Sequence, residues 1–192
     1  MRRRILVIQG HPAAASLCAA LAGAYARGAR EAGHAVTTLA VRELAFDPVL
    51  HEGYRVVQSL EPDLLHAQQA IRQADHLVIV YPTWWGGMPA QLKGFFDRTF
   101  LPGFAFRYRP GSPWWDKYLS GKSAHLIATM DTPPWYYRLV YRDPGINQLR
   151  RAILQYCGVG PVRVTRIGRV KDTPDAWKQA WLRKVQGYGR KA

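Results

Sequence analysis

Three short stretches gather residue types able to bind and handle a planar, phosphorylated ligand. Gly10-His11-Pro12-Ala13-Ala14-Ala15-Ser16-Leu17-Cys18 is a loop of small residues that opens a helix. Such a loop offers backbone N–H groups and the Ser16 hydroxyl to a phosphate. Tyr81-Pro82-Thr83-Trp84-Trp85-Gly86-Gly87-Met88-Pro89 sets two adjacent tryptophans directly after an apolar run. Both indoles cannot enter the core, so at least one is expected to form a flat wall, with Gly86 and Gly87 letting a planar ligand approach the backbone. Backbone amides there could tune the electronics of a bound cofactor. Thr129-Met130-Asp131-Thr132-Pro133-Pro134-Trp135-Tyr136-Tyr137 is again polar and aromatic, and the phenol of Tyr136 or Tyr137 could stabilise charge developing on an acceptor oxygen.

For these stretches to form one pocket, the chain between them must bring them to one edge. Arg3 to Gln9 reads as a strand buried on both faces, and Ser16 as the cap of a helix reaching about Gly33. His34 to Val41, His76 to Tyr81, Ser123 to Thr129 and Val162 to Ile167 are further strands. Asp63 to Ala74, Pro89 to Thr99, Gly145 to Cys157 and a segment from Asp172 carrying Trp177, Trp181, Val185 and Tyr188 are helices. Alternation of this kind predicts an α/β, flavodoxin-like, doubly wound parallel sheet of about five strands with helices on both faces, its ligand at the carboxyl ends of the strands. Two long connections, Ala45 to Leu60 and Phe100 to Tyr118, are expected to be functional loops.

Composition narrows the chemistry. A chain of 192 residues, 48% hydrophobic and 21% charged, suits one domain spanning 1–192, and no apolar run reaches the ~20 residues of a bilayer span. The Ile5 to Ile8 run is too short for a signal-peptide core, so a cytoplasmic protein without membrane insertion is expected. Cys18 and Cys157 form no CxxC pair and the six histidines no HExxH arrangement, which argues against a structural or hydrolytic metal. The first loop is neither a Walker A nor a GxGxxG loop, arguing against an NTPase or a Rossmann-bound dinucleotide. The net charge of +14 is concentrated late: residues 135–192 hold 13 Lys+Arg against 3 Asp+Glu. Without a recognisable nucleic-acid module this reads as solvated basic surface, or as a field that steers phosphorylated cofactors.

Tyr81 to Tyr108, YPTWWGGMPAQLKGFFDRTFLPGFAFRY, resembles the signature stretch of the NAD(P)H:quinone oxidoreductase family. The resemblance extends more weakly to Gly10 to Ser16 and to Leu154-Gln155-Tyr156-Cys157-Gly158, covering most of the chain. It implies that His11, Ser16, Leu17 and Cys18 hold a flavin phosphate, that Pro82, Thr83, Trp84, Trp85 and Gly86 hold the isoalloxazine ring, and that Thr129 and Tyr137 complete the flavin site. It further implies FMN, with FAD as the alternative, and NADPH or NADH as the hydride donor. Hydride would pass to a quinone or similar planar acceptor. A homodimer is implied, in which Phe106 and Tyr108 of one subunit join Trp84 of the other around the substrate, with Tyr137 and Tyr136 as the catalytic phenols. The same family includes the ancillary flavoprotein of a potassium efflux system, so regulation of a membrane transporter is the alternative role. One departure stands out: Met130 to Pro134 replaces a glycine-rich third loop, and Tyr141 and Arg142 stand where a histidine would follow Tyr137.

Overall fold

The computed structural model describes residues 2–192, in which a five-stranded parallel sheet runs in the order β2-β1-β3-β6-β7. The strands are β1 (Arg4–Gln9), β2 (Ala35–Ala40), β3 (His76–Pro82), β6 (Ser123–Met130) and β7 (Val162–Gly168). The three central strands are apolar almost without interruption because helices cover both sheet faces, and every residue of β3 is buried. The outer strands β2 and β7 are only partly buried and correspondingly more polar.

Alternation within each strand sorts the core into two halves. Leu6, Ile8, Leu77, Ile79 and Leu126 meet α2 (Pro62–Gln73), α3 (Ala90–Thr99) and the helical segment 144–155 through Leu64, Ile71, Leu92, Phe95 and Leu149. Ile5, Val7, Val78, Val80 and Ile127 meet α1 (Leu17–Glu31) and α6 (Asp175–Arg190) through Leu21, Tyr25 and Val185. Each such side chain withdrawn from water contributes roughly 1.5–3 kcal/mol. Helices α1 and α6 approach closely enough that a Cβ at Gly28 would strike the Gln186 carbonyl, and one at Gly189 the Tyr25 carbonyl.

The order of elements follows the expectation, with three differences. The Phe100 to Tyr118 connection contains an antiparallel hairpin, β4 (Phe106–Tyr108) with β5 (Trp115–Lys117), whose three-residue strands are too short to display a period. The third ligand loop turns helical at once as α4 (Pro134–Leu139), so Tyr136 and Tyr137 sit on a helix. The helix expected from Gly145 begins as α5 (Pro144–Asn147) and continues with π-helical winding through Gln148–Gln155. The irregular Ala45 to Leu60 stretch is held from inside by Arg98, fully buried on α3, whose guanidinium donates 2.8 Å to Ser59 O and 2.9 Å to Glu61 Oε2. Among the described residues no helix is long and apolar enough to cross a membrane. Nor do three His, Cys, Asp or Glu side chains gather as a metal would need.

Candidate functional site

Parallel register places the C-terminal ends of β1, β3 and β6 side by side. Gly10 N–H donates to Val80 O at 2.8 Å and Thr83 N–H to Thr129 O at 2.7 Å, so the loops that follow these strands depart together. They enclose a cleft of about 310 Å³ lined by His11, Ala15, Ser16, Leu17, Cys18, Pro82, Thr83, Trp84, Thr129, Met130, Asp131 and Val170.

One wall is the N-terminus of α1. Ser16 caps it in extended conformation, its Oγ accepting the Ala19 N–H at 3.2 Å. That bond uses a lone pair and leaves the Ser16 O–H free to donate, beside first-turn N–H groups that have no intrahelical acceptor. His11 Nδ1 accepts the Ala13 N–H at 2.9 Å, which leaves Nε2 as the ring's donor. Its ring meets Trp84 edge to face, centroids 5.6 Å apart. Deeper in, Cys18 Sγ lies 3.2 Å from Thr129 Oγ1, and burial pushes the thiol's pKa up to about 11. This is a neutral packing thiol, not a nucleophile.

The second wall is a tight turn. Trp84 N–H donates to Gly87 O and Gly87 N–H to Trp84 O, both at 2.9 Å, with Trp85 at φ 50 and Gly86 at φ 75 between them. Positive φ at both central positions is the type I′ pattern, costly for a tryptophan and free for a glycine. The turn points the two indoles differently: Trp84 lines the cleft, whereas Trp85 stands clear of the protein, fully exposed. Thr83 lines the cleft, but its Oγ1 is shielded from solvent and has no hydrogen-bond partner.

Eight of the residues singled out from sequence therefore line one cleft: His11, Ser16, Leu17, Cys18, Pro82, Thr83, Trp84 and Thr129. Trp85, Gly86, Tyr136 and Tyr137 do not line it. Tyr137 is buried, and its hydroxyl donates to Gly86 O at 2.9 Å while accepting the Gly145 N–H at 3.1 Å. Burial also raises its pKa. A phenol so engaged braces the Trp84–Gly87 turn and does not line the cleft. Tyr136 packs edge to face between Trp135 and Tyr141. Phe106 and Tyr108 open onto a second hollow of about 210 Å³ with Tyr54, Phe100 and Tyr156, separate from the cleft within one chain. Met130 and Asp131 belong to the third stretch read from the sequence, whereas Val170 lies outside all three. Val170 is brought there by its N–H bond to Met130 O, 3.2 Å, and Asp131 is held by the Lys171 N–H at 2.7 Å. Both contacts join loops 40 residues apart and leave no local trace in the sequence.

A sheet of this order with its cleft at the strand ends defines a flavodoxin-like α/β protein, and residues 3–191 match the family described as flavodoxin-like fold. The chain belongs to that family, and it has relatives named NAD(P)H oxidoreductase and NAD(P)H dehydrogenase [quinone]. An NAD(P)H oxidoreductase of uncharacterised role from Haemophilus influenzae is 29% identical over 182 residues, covering 92% of this chain and 89% of its own. NAD(P)H dehydrogenase [quinone] 1 of Cavia porcellus is 29% identical over 181 residues; the match takes in 81% of this chain but only 65% of that longer protein. The crystal structure of Smu.1420 from Streptococcus mutans UA159 superposes with a TM-score of 0.81 at 30% identity, over 98% of this chain and 100% of that one.

Proposed function

We propose that the protein is a flavin-dependent NAD(P)H oxidoreductase that reduces a quinone or similar planar acceptor. The observation that carries this reading is the cleft itself: a capped helix N-terminus, a single indole wall and Thr83, whose buried Oγ1 has no partner within the protein, line it. An orphaned buried hydroxyl costs free energy unless a ligand atom completes it. The residues present fit FMN, with FAD as the alternative.

In this reading His11, Ser16, Leu17 and Cys18 hold the phosphate end, through N–H groups of the first turn of α1, the Ser16 O–H and the His11 ring N–H. Pro82, Thr83 and Trp84 would hold the ring system, with a χ1 rotation letting the unpartnered Thr83 hydroxyl donate to a ring heteroatom and the Trp84 indole limiting the slot. Thr129 closes the floor. When bound, the flavin accepts hydride from NADPH or NADH and passes it to the acceptor. Both partners use the same planar slot in turn, so the chain needs to orient flat molecules and exclude water more than it needs strong acids or bases. Gly86 and Trp85 act through the turn, and Tyr137 is a positioning residue that keeps the turn in place. Tyr136 lies in the aromatic cluster beside it and takes no direct part.

A homodimer belongs to the same proposal. Tyr108 and Tyr54 expose 62% and 69% of their surface at the rim of the second hollow, an aromatic surface that a second subunit would cover while Tyr108 reaches its partner's Trp84; Phe106 is buried in the core and supports Tyr108 edge to face from within.

The test is an anaerobic visible spectrum of protein supplemented with FMN and desalted, recorded before and after NADPH and then menadione. Retained flavin absorbance that bleaches with NADPH and returns with menadione is expected. Failure to retain flavin would overturn the cofactor assignment, and bound flavin indifferent to NADPH or NADH would overturn the enzymatic one.

A further inference from the structure

Near the Tyr137 brace lies a larger hollow, about 520 Å³, in which five of the nine lining residues are arginines, beside Asp143, Asn147, Val162 and Val164. Arg138 from α4, Arg142 from the loop after it, Arg150 and Arg151 from the π-helical segment and Arg166 from β7 converge there, with Asp143 as the one carboxylate. Asp143 serves Arg166 alone: Arg166 Nε donates to Oδ1 at 2.9 Å and a second guanidinium nitrogen to Oδ2. Among the described residues, Arg138, Arg142, Arg150 and Arg151 have no ion pair with any acid, and the Arg150 Nε is buried without a hydrogen-bond partner.

Four unpaired guanidiniums around one cavity repel one another. A single anion with several oxygens relieves that repulsion. Guanidinium forks match phosphate oxygens in pairs, which suits them better than lysine to gather on one phosphorylated group. The cavity is too polar for a flat apolar molecule, since only Val162 and Val164 on β7 supply apolar wall.

We propose that this arginine hollow is a binding site for a small polyanion carrying two or more phosphate groups. The site is distinct from the cleft between β1, β3 and β6 and does not depend on the flavin reading. It is nevertheless close to the cleft's supports: Asp143 N–H donates to Tyr137 O at 3.0 Å, and Gly145, two residues on, donates to Gly86 O at 2.8 Å.

The experiment is calorimetric titration of the full chain with inorganic pyrophosphate, with and without added FMN. One saturable site is expected, weakening as salt is raised. Arg142 and Arg151 are exposed, so the double variant R142Q/R151Q removes two phosphate partners without disturbing the core. It should lower affinity by roughly tenfold or more. The charge-matched control R183Q/K184Q, on exposed positions of α6, should stay within about twofold. Displacement of pyrophosphate by NADPH more readily than by NADH would identify the donor's phosphates as the source; displacement by neither, with binding intact, would identify a separate polyphosphate. Absence of saturable binding, equal loss in both variants, or binding seen only with duplex DNA or anionic vesicles would overturn the proposal. FMN retention is read independently by its absorbance, so the two readings fail separately.

Discussion

The Tyr137 hydroxyl donates to the Gly86 carbonyl across 51 residues of chain, 2.9 Å from oxygen to oxygen, and so fastens the Trp84–Gly87 turn to α4. Gly145 N–H reaches both of these oxygens, 2.8 Å to Gly86 O and 3.1 Å to the Tyr137 hydroxyl. The aromatic wall of the cleft is thus positioned by a buried three-way hydrogen-bond junction whose residues do not themselves line the cleft.

Tyr137→Phe should therefore act through position. The variant leaves the Gly145 N–H and Gly86 O with one partner fewer in a buried place, a loss of about 1–2 kcal/mol. Thermal unfolding should fall by roughly 2–8 °C for a chain of this size. FMN affinity should weaken severalfold while the reduced acceptor's turnover per bound flavin stays near its original value. Loss of turnover at full flavin occupancy would instead give Tyr137 a direct catalytic role.

Thr83→Val separates stability from binding. The hydroxyl it removes is buried and unpartnered, so the ligand-free protein should unfold at the same or a slightly higher temperature. Flavin binding should weaken by about 1–2 kcal/mol, roughly five- to thirtyfold, because the ring loses its donor. Parallel losses in both measurements would mean that Thr83 matters to packing and not to a ligand.

Acid should destabilise the fold before any carboxylate is titrated. His76 and His125 are buried in a polar seam, His76 between Tyr25 OH at 3.2 Å and Ser123 Oγ at 2.7 Å, His125 against Thr165 Oγ1 at 2.8 Å. Burial holds their pKa values down to about 4 and about 3. Unfolded histidine binds its proton near pH 6.5, so between that pH and about 4 the unfolded chain holds more protons than the folded one. The stability these groups contribute is complete above pH 6.5 and is lost as pH falls through that window. By pH 5 the loss is on the order of 2 kcal/mol per histidine. Denaturant midpoints at pH 7.5 and pH 5 would show it, and the difference should shrink in His125→Gln.

Both thiols should be silent in the folded protein. Burial raises the pKa of Cys18 to about 11 and that of Cys157 to about 12, leaving almost no thiolate at neutral pH. A chromogenic disulfide reagent at pH 7.5 should label neither over minutes and both after denaturation. Rapid labelling of Cys18 in folded protein would show that the cleft opens more widely than its packing implies.

Much of this protein could be read from local patterns. Ile5 to Ile8 and Leu77 to Tyr81 are continuous apolar runs because water is excluded from both faces of a central strand, and that requirement is visible in any single strand. Ser16 announced the start of α1 by the same logic, since a helix must satisfy its first N–H groups. With the strands in place, parallel crossovers left only one edge where Ser16, Thr83, Trp84 and Thr129 could meet. The roles of Trp85 and Tyr137 were not decided locally. Adjacent indoles are equivalent in sequence until a turn with positive φ at Trp85 sends one into the cleft and the other into solvent. A tyrosine hydroxyl carries no record of its acceptor, and the acceptor of Tyr137 lies on another loop. The arginines of the second hollow are spread from position 138 to 166, and only the seating of the π-helical segment beside β7 sets them around one cavity. Burial and periodicity are properties of a segment and its solvent, so the sequence by itself determined the layers of this protein and the edge that holds its cleft. Hydrogen bonds and charge clusters depend on distances between segments, and these the tertiary structure alone decided.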